Sequence, residues 1–128
     1  MTTPRRLAGL AVSATLGVVG LLGLQTPAQA STSLSNVYEH ADWGGLAKTF
    51  YHGSDGYVCT GSVSDVDLQF SSMPSGWDNR VSSFYQFATC YAKLWELTWY
   101  QGASLGYQGT TSWVGPVMND QTSSIQFS

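Results

Sequence analysis

Few side chains in this sequence can attack, protonate or ligate, and their spacing limits what they can do. His40 and His52 are the two imidazoles, and Cys59 and Cys90 the two thiols. No third group stands at a spacing that suggests a Ser-His-Asp triad or a zinc-ligand cluster. The cysteines lack the Cys-x-x-Cys spacing of a thiol-based site. Asp65 and Asp67 alternate, so both could face one side of a strand as a glycosidase's carboxylates do, but in a polar loop such a pair reads as solvated. No enzyme is expected from these residues. Two polar stretches remain, Asp78-Asn79-Arg80-Val81-Ser82-Ser83 and Asn119-Asp120-Gln121-Thr122-Ser123-Ser124. Their Asn, Asp and Ser side chains are those that satisfy backbone groups in turns and at strand starts.

The elements that must hold these groups follow from composition and patterning. The chain has 128 residues, 43% hydrophobic, 13% aromatic and 10% charged, with a net charge of -3. That describes one small globular domain, and the charge disfavours polyanionic partners such as nucleic acids. Residues 1–30 read as an export signal: Arg5 and Arg6, an uncharged apolar run over 7–24, then Ala28-Gln29-Ala30 for cleavage before Ser31. The run is nearly long enough to span a bilayer, but the Ala-x-Ala step makes cleavage the expectation, with no membrane segment afterwards. The paired arginines are compatible with either the general or the twin-arginine export route. Residues 31–128 carry every aromatic residue, and Lys48, Arg80 and Lys93 against all eight acidic groups. A domain this small gains from a cross-link, and export to an oxidising compartment predicts a Cys59–Cys90 disulfide.

No window of 31–128 shows a sustained helical period, whereas apolar alternation recurs over 37–40, 81–87, 91–100 and 125–127. Glycine-rich and serine-rich turns separate these stretches at short intervals. The pattern predicts an antiparallel sandwich or barrel.

Two patterns occur twice, in the same order. Val37-Tyr38-Glu39-His40-Ala41-Asp42-Trp43-Gly44-Gly45 matches Leu94-Trp95-Glu96-Leu97-Thr98-Trp99-Tyr100-Gln101-Gly102, sharing an apolar residue, an aromatic, a glutamate, a second aromatic and a glycine. The two polar stretches are the second pair, each running into an apolar residue, Phe84 and Ile125. The half-chain is therefore a structural unit. An aromatic-x4-aromatic-x-Gly run suits a folded-back hairpin in which glycine takes a conformation closed to other residues, and the two rings are expected to stack as a corner. Four strands per half would form two four-stranded antiparallel sheets around a shared core.

These residues resemble the βγ-crystallin family, whose Greek keys carry aromatic-x4-aromatic-x-Gly followed by (Asn/Asp)-(Asn/Asp)-x-x-(Ser/Thr)-Ser. In this sequence Tyr38, Trp43 and Gly45, then Trp95, Tyr100 and Gly102, stand at the hairpin positions. The resemblance covers 31–128 and implies an all-β Greek-key sandwich of two keys, about 36–87 and 91–128, of the secreted bacterial single-domain type. The first half departs from it: Gly45 to Asp78 spans 33 positions against 17 from Gly102 to Asn119, which places an insertion carrying Cys59 within 52–73.

Calcium-binding members of the family exchange ligands between the two polar stretches, so the resemblance implies up to two calcium sites. Asn79 and Asp120 would give side chains, Arg80 and Gln121 backbone carbonyls, Ser82 and Ser123 hydroxyls, and Glu39 and Glu96 backbone carbonyls from the hairpins. Which stretch serves which site stays open at this stage. A hard cation accepts such oxygens alongside carboxylates, and sites so poor in carboxylate are expected to be weak. Two further binding readings stand beside calcium. The insertion could be a rigid loop that inhibits a secreted metalloprotease, or Trp77, Trp99 and Trp113 could stack on a cell-wall or other glycan. Exposure of Trp99 and Trp113 discriminates for the latter. The expected protein is a secreted, extracellular, non-catalytic monomer.

Overall fold

The computed structural model describes residues 31–54 and 56–128. The export-signal expectation falls on 1–30 and lies outside them.

Among the described residues there are seven strands, β1 (Thr32–Tyr38), β2 (Ala47–His52), β3 (Leu68–Phe70), β4 (Ser83–Gln86), β5 (Ala92–Leu97), β6 (Gln101–Ser104) and β7 (Ser124–Phe127), of which β1, β4, β5 and β7 overlap the alternating stretches. A 3-10 turn, Ala41–Trp43, joins β1 to β2, and a one-turn helix α1, Gly115–Met118, precedes the second polar stretch. Four residues are too few for a helical period to show in the sequence, and Pro116 in its first turn is the local cue.

All pairings are antiparallel, in two sheets ordered β2-β1-β4 and β3-β7-β5-β6. The chain leaves the first sheet after β2, adds β3 to the edge of the second beside β7, and returns as β4. This crossing is the Greek key, and it makes the second sheet depend on β3 from the first half, while among the described residues the first sheet pairs with the second half only at the Phe84–Thr111 bridge. The expectation of two four-stranded sheets is corrected to three and four. The segment that would complete the first sheet still bridges Ala92 of β5 at Gln108 and reaches β4 only at Thr111, opposite Phe84. Two backbone hydrogen bonds, of 3.0 and 2.9 Å, join Thr111 to Phe84. Three residues suffice to cross between sheets but not to build a ladder.

Period-2 alternation buries Val37, Phe50, Phe84, Leu94, Ile125 and Phe127 between the sheets. Phe50 from the first sheet packs on Phe70 and Phe127 of the second at 5.0 and 5.6 Å between ring centroids. The insertion is held by the Cys59–Cys90 disulfide, with Cα atoms 4.9 Å apart. Asp67 Oδ2 accepts from the Thr60 amide at 2.7 Å, and the Thr89 hydroxyl donates to the Cys59 carbonyl at 2.8 Å. The polar stretches run straight into β4 and β7, so both sheets fix the ends of the candidate site.

Candidate metal centre

Each hairpin turns through left-handed backbone. Asp42, Trp43 and Gly45 have φ of 55°, 58° and 75°, and Trp99, Tyr100 and Gly102 have 59°, 59° and 80°. A Cβ on Gly102 would lie 2.9 Å from Glu96 Oε2, and one on Gly45 would lie 2.7 Å from the His40 ring. Glycine is required at both places by conformation and by space. The folded-back glutamates then accept from the next amide, Glu39 Oε2 from Leu46 at 3.3 Å and Glu96 Oε2 from Ala103 at 3.0 Å.

The expected stacking of the two motif rings on each other is not what forms. Trp43 sets its ring edge-on to Tyr85 at 6.4 Å, donates from Nε1 to the Phe84 carbonyl at 3.3 Å, and stays 42% exposed. Trp95 donates to Gln126 Oε1 at 2.8 Å and carries Lys93 Nζ 4.4 Å from its ring centre. Thus Trp43, the second aromatic of the first hairpin, finds its partners on β4, and Trp95, the first aromatic of the second hairpin, finds Gln126 on β7.

The polar stretches repeat one hydrogen-bond scheme about a pseudo-twofold relation. Asn79 N–H donates to the Thr122 carbonyl at 2.9 Å, and Asp120 N–H to the Val81 carbonyl at 3.1 Å. Both are left-handed, with φ of 56° and 54°, a conformation that Asn and Asp tolerate better than most residues. The second serine of each stretch is fully buried and fastens the hairpin: Ser83 Oγ donates to the His40 carbonyl and Ser124 Oγ to that of Leu97, both at 2.6 Å. Each then accepts from a hairpin amide, Trp43 at 3.0 Å and Tyr100 at 3.1 Å.

The first serine of each stretch faces the opposite stretch instead. Ser82 Oγ lies 2.8 Å from the Glu39 carbonyl oxygen and 3.2 Å from Asp120 Oδ1. Ser123 Oγ lies 3.4 Å from Asn79 Oδ1. The pairing left open by sequence is thus Ser82 with Asp120 and Glu39, and Ser123 with Asn79. Among the described residues no hydrogen bond goes to the carbonyls of Arg80 or Gln121, and none joins Ser123 Oγ to the Glu96 carbonyl. Asp120 is exposed and accepts also from Asn119 Nδ2 at 3.3 Å, so its carboxylate is open to solvent on the side away from Ser82. The donor set is all oxygen, which suits a hard cation such as calcium rather than a metal preferring nitrogen or sulfur. No three His, Cys, Asp or Glu side chains gather as a metal cluster among the described residues.

No family model matches the sequence, and no curated protein matches it. Solved structures do. A double mutant of a βγ-crystallin domain from Clostridium beijerinckii superposes with a TM-score of 0.55 at 18% identity, over 75% of this chain and 97% of that one. The N-terminal domain of protein S gives 0.54 at 16%, over 77% and 96%. A βγ-crystallin domain from Flavobacterium johnsoniae gives 0.50 at 17%, over 74% and 93%.

The fold is that of a βγ-crystallin domain.

Within this βγ-crystallin fold the two sets differ by one cation. Arg80 Nη2 pairs with Glu39 Oε2 at 3.2 Å, Nη1 donates to the Gly76 carbonyl at 2.9 Å, and the guanidinium lies over Trp77. The Leu46 amide first, and Arg80 after it, hold the Glu39 carboxyl below its ordinary value. Gln121 stands at the matching place in the second half. The remaining candidates have structural partners. His52 stacks on Tyr57 at 3.7 Å, its Nδ1 accepts from Ser54, and Thr60 and Ser128 contact Asp65. Trp77 is 8% exposed, Trp99 69% and Trp113 52%.

Proposed function

We propose that this protein is a secreted calcium-binding module of βγ-crystallin fold with no catalytic role. The reading is carried by one observation, the exchange in which Ser82 meets Asp120 and Ser123 meets Asn79 across the two stretches. Calcium would be held by Glu39 carbonyl, Ser82 and Asp120 in one site, and by Ser123 and Asn79 in the other, with Glu96, Arg80 and Gln121 carbonyls and water completing the shells. Ions seated here would tie both halves of the chain together. A ligand bound only by the folded state stabilises it by RT ln(1 + [L]/Kd), about 1.4 kcal/mol per site at tenfold over Kd. Thermal unfolding of the purified protein in chelator and in millimolar calcium tests this: a rise of several degrees supports it, and superimposable curves refute it.

Glycan binding is the second reading, because Trp99 and Trp113 are 69% and 52% exposed while Trp77 is buried. Exposed tryptophans offer flat apolar faces with a polar edge, which suit a sugar ring.

A further inference from the structure

We propose that the end of β4 remote from the polar stretches carries a binding site for a neutral glycan, independent of the metal centre. It rests on the glycan reading but moves the contact away from Trp99 and Trp113. A cleft of about 360 Å³ opens there, in the size range of small-ligand sites. Gln86 at the end of β4, Tyr91, and Gly109 and Thr110 of the crossing segment line it, with Gly61 of the insertion opposite. Cys90 lines it too, so the disulfide to Cys59 fixes the insertion against the sheet and preorganises the walls.

Three observations give the ligand its chemistry. Both polar atoms of the Gln86 side chain are buried beneath the cleft wall and make no hydrogen bond to any described residue, so a ligand would meet them only once the amide turns toward the opening. A buried amide left so is costly, and the groups that match it are a hydroxyl pair or an acetamido group, each offering a donor beside an acceptor. The lining contains no charged side chain, which fits a neutral ligand. Aromatic surface is at hand: Tyr91 is 39% exposed, with glycines 61 and 109 against its ring. Tyr85, 44% exposed on the outer face of β4, packs against Trp43 at 6.4 Å and Phe87 at 5.1 Å, continuing an uncharged aromatic run to the residue after Gln86. A peptide adding a strand is disfavoured, because Thr111 already bridges the outer edge of β4.

The test is a heteronuclear NMR titration of the disulfide-intact protein with cellotriose and, separately, chitotriose, both in chelator. Binding by either should shift the amides of Gln86, Tyr91 and Thr110; chitotriose alone would identify the acetamido group as the partner, cellotriose alone the hydroxyls. Gly109→Val is the blocking variant. A Cβ there meets Tyr91 at an ordinary 3.7 Å, and the melting curve of the variant checks that the two further methyls fill the cleft without unfolding the chain. The variant should weaken binding by about tenfold or more. Gln86→Leu should weaken binding similarly while leaving the melting temperature level or higher, since the lost amide has no partner to strand. Asp120→Ala should bind the sugar like the parent. Absence of binding by both trisaccharides at millimolar concentration overturns the proposal together with the glycan reading. Shifts confined to Trp99 and Trp113, untouched by Gly109→Val, overturn the cleft and keep that reading.

Discussion

Adjacent serines in this protein have opposite duties, although the sequence writes them as an undifferentiated pair. Ser83 and Ser124 are sealed donors and acceptors of the hairpin corners, whereas Ser82 and Ser123 face across to the opposite stretch. Ser83→Ala strands the Trp43 amide and the His40 carbonyl, and should lower stability by roughly 1–3 kcal/mol with calcium absent. Ser82→Ala should cost less in the apo protein and more in calcium affinity, and chelator and calcium melts of the two variants separate these effects. Asp120 is the one carboxylate at a second position, so Asp120→Ala should weaken calcium binding by about tenfold or more, and Asn79→Ala less, because removing a formal charge from a divalent site costs more than removing an amide dipole. If both variants bind calcium like the parent, these stretches are turn chemistry alone. The types and positions of these residues were legible because the motif recurs; which serine partners which stretch was not, because that depends on how the two halves face each other.

At the scale of elements, the hairpin is a corner closed by glycine and by a folded-back glutamate. Gly102→Ala forces a Cβ into left-handed backbone 2.9 Å from Glu96 Oε2, and should destabilise by about 1 kcal/mol or more. A variant melting like the parent would show the corner to be more compliant than described. The Glu39 corner is also a titrating element. Its carboxyl is held below the ordinary value, first by the Leu46 amide and then by Arg80. The stability it contributes is therefore complete above the unfolded-state value and is lost as pH falls through the lower folded-state value. Glu39→Gln should flatten the acid side of the melting-temperature profile and leave the neutral side nearly level. β1, β4, β5 and β7 were readable in part from alternation, whereas β2, β3 and β6 were not, the last because it begins in a glycine-containing stretch that reads as a turn. The ring partners were not, since Trp43 finds Tyr85 forty-two positions away and Trp95 finds Gln126 on β7. The same distance in sequence hides the fourth strand that shrank to the Thr111 bridge, and the cleft where Gln86, Tyr91 and Gly109 meet.

At the scale of the whole molecule, β3 of the first half adds to the second sheet and the two polar stretches exchange hydrogen bonds, so the halves are expected to unfold together. The Cys59–Cys90 link closes a sequence separation of 31 residues. Its reduction should cost on the order of 3 kcal/mol, read as a lower midpoint in urea, because the denatured chain loses its closed loop and gains conformational freedom. The sandwich class followed from period-2 alternation, which is a local property of the chain. Calcium is the proposal that unites the scales, because the ligands proposed for it would come from both stretches and from the Glu39 hairpin. The most direct measurement is a calorimetric titration of calcium into the disulfide-intact protein, with magnesium as comparison. Saturable calcium uptake of up to two ions, weaker uptake of magnesium because it demands stricter geometry and dehydrates reluctantly, and loss of one site in Asp120→Ala are the predicted result. No calcium heat beyond dilution, with the same null result by melting, would contradict the account.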